Sequence, residues 1–261
     1  MTLKRSAART GRALWRKQHH LGRMGLRELV HAFFGHYAIQ AYLLLFVASL
    51  ILFAMDPMDA PRSWATVSLV ILAYPLVWYG LHRWVLHARW MFKVPALAGV
   101  WKRIHYDHHM DPDHLEVLLG ALRTTLPTIL LVSALPGWLI GGPSGALLGF
   151  ATGLAMTCFY EFCHCIQHLG YKPRHPALAA MKARHMEHHF HDEDGNFGIT
   201  NFAWDKLFGT YYRRPERPRK SSTVFNLGYD EAMARRYPRV FQLGSRAPSS
   251  RRQRLREGGR S

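Results

Sequence analysis

Cysteine and acid are both scarce in this chain, and each scarcity removes a class of explanation. The three cysteines, Cys158, Cys163 and Cys165, fall within one short apolar stretch. That is no disulfide framework, and as zinc or cluster ligands they lack a second group to complete a site. Cysteines so placed behave as small buried hydrophobes. Asp and Glu number 17 against 34 Lys and Arg, for a net charge of +17. Such charge suits nucleic acid, yet no zinc finger, aromatic sheet motif or helix-turn-helix pattern accompanies it. Neither GxGxxG nor His-Pro-Gly-Gly occurs, so no sequence for a dinucleotide, flavin or b5-type haem is visible. There is no repeat at solenoid periods. No cleavable signal peptide is expected, because the first long apolar run starts near Tyr37, after an overlong basic arm.

What the chain does have is segregation. Hydrophobic residues make up 49% of it, and that fraction is compatible with the charge only if the two kinds of residue lie apart. Four segments approach the ~20 residues a spanning helix needs: Tyr37–Met55, Ser63–Leu81, Thr124–Gly141 and Pro143–Cys163. The third holds Pro127 and Pro136 and the fourth is rich in Gly and Ala, features that membrane helices tolerate. A very short Gly-Gly-Pro-Ser turn joins the last two as a helical hairpin. With four crossings, every Lys and Arg except Arg62 falls on one side. By the positive-inside rule that side is cytoplasmic.

On that same side stand ten of the 17 histidines, in four tight clusters. They are His82 and His87 in HRWVLH, His105, His108 and His109 in HYDHH, His164 and His168 in HCIQH, and His185, His188 and His189 in HMEHH. Neutral imidazole is the commonest protein metal ligand, and ten are too many for one ion. Four or five nitrogens per ion would serve two first-row metals. On a helix, residues three and four apart share a face, so each HxxHH presents three imidazoles to one side and His164 and His168 present two. His82 and His87 differ, since five residues subtend about 140° on an α-helix. Either they flank the site and serve different metals, or the helix unwinds there. All-imidazole ligation suits zinc, iron, copper or nickel. Two ions beside a buried apolar substrate favour iron and dioxygen, because unactivated C–H bonds need a strong oxidant.

At this point the sequence resembles the fatty acid hydroxylase/sterol desaturase superfamily, most of all its fatty acid 2-hydroxylase branch. The likeness rests on the HX4H, HX2HH, HX3H and HX2HH boxes in order, with HHMDPDHLEVL after the second and NFGITNFAWDKLFGT after the last. It spans roughly His82 to Tyr212. The resemblance implies oxidation of a lipid chain by a non-haem dimetal centre with O2 and two electrons, with all ten histidines as ligands. Iron would be the working metal, and zinc could replace it on isolation. Several eukaryotic 2-hydroxylases carry a fused cytochrome b5 domain with His-Pro-Gly-Gly. Here His175-Pro176 is followed by Ala177-Leu178. Electrons are therefore expected from a separate donor of the cytochrome b5 or ferredoxin type with its reductase.

Other residues rank below the ten. Asp107, Glu161, Glu187 and Asp205 are candidates to accept the distal N–H of a ligating imidazole, as are His114 and His191 to orient ligands. Glu161 stands out, because a carboxylate at the end of an apolar span is expensive unless paired. His19, His20, His31 and His36 read as interfacial polar residues. Trp84, Trp90, Trp101 and Trp204 read as interfacial anchors, and Gly195, Gly198 and Gly209 as turns.

The expected architecture is an all-α integral membrane protein. Four transmembrane helices stand under a helical cytoplasmic cap that holds a histidine-ligated dimetal site. Residues 1–36 form a basic amphipathic segment on anionic lipids, 37–212 the catalytic domain, and 213–261 a basic, largely disordered tail. The expected function is hydroxylation of the acyl chain of a fatty acid or lipid, near the headgroup at C2, with no nucleic-acid partner. Oxidation of a sterol or carotenoid ring is the alternative within the superfamily. A non-enzymatic metal-binding or metal-transporting membrane protein is the alternative outside it. Transporters place ligands near the bilayer midplane, whereas these histidines lie at or beyond the span ends.

Overall fold

The computed structural model describes residues 19–243, and among these the architecture is helical with no strand longer than an isolated bridge. Helix α1 (Leu26–Gly35) starts where Glu28 accepts the Gly25 N–H at 2.7 Å, and it buries Leu29 and Phe33. Helix α2 (Tyr37–Met55) carries no charged residue, and its first turn is capped by His36 Nδ1, which accepts the Ala38 N–H. Helix α3 (Ala60–Leu81) begins at Asp59, whose carboxylate accepts from the Arg62 N–H at 2.9 Å, with Pro61 in its first turn. Both are ordinary ways to satisfy orphan N–H groups.

Three helices are long and apolar enough to cross a membrane: Tyr37–Met55, Ala60–Leu86 and Leu122–His168. The third is not one straight rod. It comprises α6 (Leu122–Ile129), a π-helical turn (Leu130–Ala134) and α7 (Leu135–His168), and its course reverses at Gly141 and Gly142. Gly142 sits at φ +59°, a conformation that L side chains rarely adopt. The two arms then run antiparallel with backbones almost touching. A Cβ on Gly137 would lie 2.2 Å from the Gly145 carbonyl, and one on Gly149 would lie 2.3 Å from that of Ser133. Small residues permit this approach, which supplies helix association where water cannot. The reversal packs beside the α2–α3 connection, where Ser144 Oγ donates to the Asp56 carbonyl at 2.6 Å. Its long arm, α7, packs against both α2 and α3.

Beyond the opposite ends of α3 and α7 lies a cap of shorter elements. These include α4 (Pro95–Trp101), a π-helical turn (Lys102–Tyr106), the single turn α5 (Asp107–Met110) and α8 (Pro176–Phe190). The N-terminal segment docks on the same region. The Leu21 N–H donates to the Asp113 carbonyl at 2.7 Å, and His19 pairs with Glu116 at 2.8 Å.

Of the expected C-terminal tail, residues 213–243 lie among the described residues. The Arg- and Pro-rich stretch is folded onto the cap, where Leu227, Tyr229 and Val240 bury themselves among Phe92, Trp101 and Tyr106. Burial of side chains of this size contributes roughly 1.5–3 kcal/mol each, enough to order a polar segment. Trp101, expected at an interface, is fully buried in this cluster, while Trp84 and Trp90 are exposed. The remainder of the expected tail, like residues 1–18, lies outside the described residues.

Candidate metal centre

The geometry begins with the pair that an α-helix would separate. From His82 to Leu86 the end of α3 widens into a π-helical turn, and the His87 N–H donates to the His82 carbonyl five residues back. A π turn closes on i→i+5 instead of i→i+4, so His82 and His87 end on one side. This settles the alternatives for the HX4H box: the helix changes its pitch, and the two histidines join one set. A second π turn at Lys102–Tyr106 holds His105 and leads into His108 and His109.

All ten histidines converge, in two sets of five. His82, His87, His105, His109 and His188 form the first, and His108, His164, His168, His185 and His189 form the second. Within each set the ligand atoms lie within 4.8 Å of one another. The sets adjoin, with the rings of His109 and His189 4.4 Å apart. Each HxxHH box is therefore divided. Its first and last members, spaced i and i+4, stay together, and the middle one crosses to the other set. The expectation that three imidazoles serve one side is thus refined, because His108 and His188 exchange places between sets.

Nitrogen faces nitrogen inside each set. The Nε2 atoms of His105 and His87 are 2.8 Å apart, those of His82 and His105 3.2 Å, those of His168 and His185 2.8 Å, and those of His108 and His164 3.2 Å. His109 Nε2, His188 Nε2 and both nitrogens of His189 are buried with no hydrogen-bond partner among the described residues. Burial, reinforced by neighbouring imidazoles, holds His105, His108, His185, His188 and His189 well below the usual histidine range. Burial likewise pulls His109 down to about 3. The rings are thus neutral at pH 7 with lone pairs to give, and these buried, partnerless donors fit metal ions.

The groups that orient the rings are backbone carbonyls, which sequence reading missed because a carbonyl has no residue signature. His82 Nδ1–H donates to Phe197 at 2.6 Å, His188 Nδ1–H to Gly195 at 2.7 Å and His109 Nδ1–H to Val224 at 3.1 Å. An N–H facing a carbonyl fixes the tautomer. Gly195, expected only to mark a turn, therefore supplies an acceptor.

The carboxylate and histidine candidates for that task lie elsewhere. Asp107 pairs with Lys102 at 2.7 Å, and Glu187 with Arg184 at 2.8 Å. His114 packs its ring on His20, and His191 donates to the Arg217 carbonyl at 2.5 Å. Asp205 acts at one remove: it accepts from the Phe197 and Gly198 N–H groups, each at 2.8 Å. Glu161 is buried beside the second set, and the Gly120 N–H donates to it at 3.5 Å.

Glu161 also lines a cavity of about 370 Å³. The wall includes His82 and His105 of the first set and His108 and His164 of the second, so one space reaches both. Leu81, Val85 and Ile104 make the wall apolar, and Arg123, Thr124 and Glu161 give it polar points. The volume falls within the ordinary range of small-ligand sites.

Fold and site together define a helical protein with helices apolar enough to cross a membrane, paired five-histidine sets and a mainly apolar cavity opening on both. Sequence comparison makes the class specific. The fatty acid hydroxylase family profile matches residues 67–210, and the chain belongs to that family. It is 33% identical over 139 residues to dihydroceramide fatty acyl 2-hydroxylase FAH1 of Arabidopsis thaliana, covering 51% of this chain and 54% of that one. It is 31% identical over 147 residues to ceramide very long chain fatty acid hydroxylase SCS7 of Saccharomyces cerevisiae, covering 54% of this chain and 36% of that one. Thus it spans about half or less of those relatives' lengths. A solved structure of full-length scs7p, in which only the hydroxylase domain is visible, shares the fold. Its TM-score is 0.58 at 24% identity, over 70% of this chain and 67% of that one.

Proposed function

We propose that this protein is a membrane-bound non-haem dimetal oxygenase that hydroxylates the acyl chain of a fatty acid or lipid, near its headgroup. One observation carries the reading: both five-histidine sets reach the wall of the same apolar cavity. The ten histidines would hold two ions, iron in function, and the bound metal would supply activation of O2 by two electrons from a separate donor. The chain's own residues do the rest. Leu81, Val85 and Ile104 exclude water and take up methylenes, while Arg123, Thr124 and Glu161 offer polar contacts to a headgroup. A chain so held lies with carbons close to its polar end beside the histidines, which favours C2. The names of two relatives, dihydroceramide fatty acyl 2-hydroxylase and ceramide very long chain fatty acid hydroxylase, agree with an acyl substrate.

Four crossings fit the antiparallel reversal at Gly141–Gly142 and its packing on the α2–α3 connection. The histidines and all basic residues but Arg62 would then face the cytoplasm. Lipid mass spectrometry of cells expressing this chain, beside an empty control, tests the reading. A hydroxylated acyl chain supports it, and an oxidised sterol or carotenoid would replace it with ring oxidation.

A further inference from the structure

The two histidine sets have the same ligands but different support. In the first set, His82, His109 and His188 each donate their Nδ1–H to a backbone carbonyl, leaving Nε2 turned toward its neighbours. In the second set, the Nδ1 atoms of His108, His168, His185 and His189 are buried without a hydrogen-bond partner among the described residues. A carbonyl behind the ring fixes its tautomer and orientation and raises its basicity. Such partners are worth about 10–100-fold in metal affinity. A ring without one keeps the packing of its neighbours but lacks that support.

Two of the three supporting carbonyls belong to one short loop, at Gly195 and Phe197, and the loop is shaped by a single buried carboxylate. Asp205 accepts the Phe197 N–H at Oδ1 and the Gly198 N–H at Oδ2, and Thr210 Oγ1 also donates to Oδ1, all at 2.8 Å. Asp205 is fully buried. None of these bonds goes to an imidazole; Asp205 holds the backbone that supports the rings. Between Gly195 and Phe197, Asn196 takes a left-handed conformation at φ +54°, and its amide clasps the backbone of Tyr212 at both ends. The loop is therefore a fixed shape set from behind.

We infer that the two sets are unequal metal sites, the first the tighter, and that Asp205 is the positioning residue that makes it so. This rests on the ten histidines being metal ligands, as proposed above. It gives the carboxylate of the NFAWDKLFGT segment a role that spacing alone does not assign. It also predicts that one ion can be exchanged while the other stays.

The test uses the full chain loaded with zinc, which needs no electron donor, titrated with a competing chelator while bound zinc is counted by native mass spectrometry. Two ions should leave in two steps separated by at least about tenfold in free zinc. His185→Ala should keep the tighter ion, and His188→Ala should lose it and keep the weaker. Asp205→Asn, which keeps the shape but replaces an acceptor by a donor, should weaken the tighter step about 10–100-fold and leave the weaker one in place. Release of both zinc ions in one step from the unaltered protein would overturn the inference, and that measurement depends on no variant folding. Equal weakening of both steps by Asp205→Asn would overturn the role of the carboxylate. Failure to bind any zinc would instead refute the metal assignment on which the inference rests.

Discussion

The His87 N–H donates to the His82 carbonyl at 3.2 Å, and this one widened turn brings both imidazoles into the same set of five. With it, each set acquires the same plan: two close pairs from two boxes, and one histidine given by a neighbouring box. Adjacent histidines in an HxxHH box therefore serve different sets.

That division makes double variants informative. His105→Ala with His109→Ala removes two imidazoles from the first set alone, and the protein should retain about one ion. His108→Ala with His109→Ala removes one ligand from each, so affinity for both ions should fall. Metal content measured over a range of free zinc checks this. Equal losses in the two double variants would contradict the division.

Topology gives a second expectation. Asp59→Cys and Pro143→Cys should both react with a membrane-impermeant thiol reagent from one face, and Lys172→Cys from the other. Asp59 precedes α3, Pro143 lies at the reversal and Lys172 follows α7. Labelling of Asp59→Cys and Lys172→Cys from the same face would refute four crossings.

The cavity can be filled without touching a histidine. Thr128 lies on its wall, and Thr128→Trp should cut hydroxylation of a long acyl chain at least about tenfold, or ~1.4 kcal/mol of transition-state binding. Metal content should stay at about two ions. Unchanged activity would place the substrate elsewhere.

Acid should destabilise the metal-free protein. The folded-state pKa of His109 is lowered from 6.5 to about 3, and those of His105, His108, His185, His188 and His189 are lowered too. Well above pH 6.5 these rings are neutral whether the chain is folded or not. As pH falls from there toward 3, the unfolded chain binds protons that the folded one refuses, and stability declines. Each such histidine adds at most about 1.4 kcal/mol per pH unit. The Tm of chelator-treated protein should therefore be lower at pH 5 than at pH 7.5, and an equal or higher Tm at pH 5 would contradict this.

The histidine clusters and the apolar runs were legible because they depend on residue identity and local spacing. The hairpin was legible for the same reason, since Gly141-Gly142-Pro143 interrupts an apolar run at its middle. The division of each HxxHH box was not, because i+3 and i+4 share a face and only the packed neighbours decide which set each ring joins. The supporting carbonyls of Gly195, Phe197 and Val224 were invisible, being common to every residue. Carboxylates drew attention instead, yet Asp107 and Glu187 found cations close by in sequence, Lys102 and Arg184. The folding of 213–243 was hidden by composition, because a few buried side chains such as Leu227 and Tyr229 outweigh many exposed arginines.

The most direct test supplies the purified, iron-loaded protein with an acyl lipid, isotopically labelled dioxygen, and a cytochrome b5 or ferredoxin with its reductase. The account predicts an acyl chain carrying one labelled oxygen at C2, formed only when the donor is present and lost in His108→Ala with His109→Ala. Product whose oxygen comes from water, or turnover sustained without any electron donor, would contradict it.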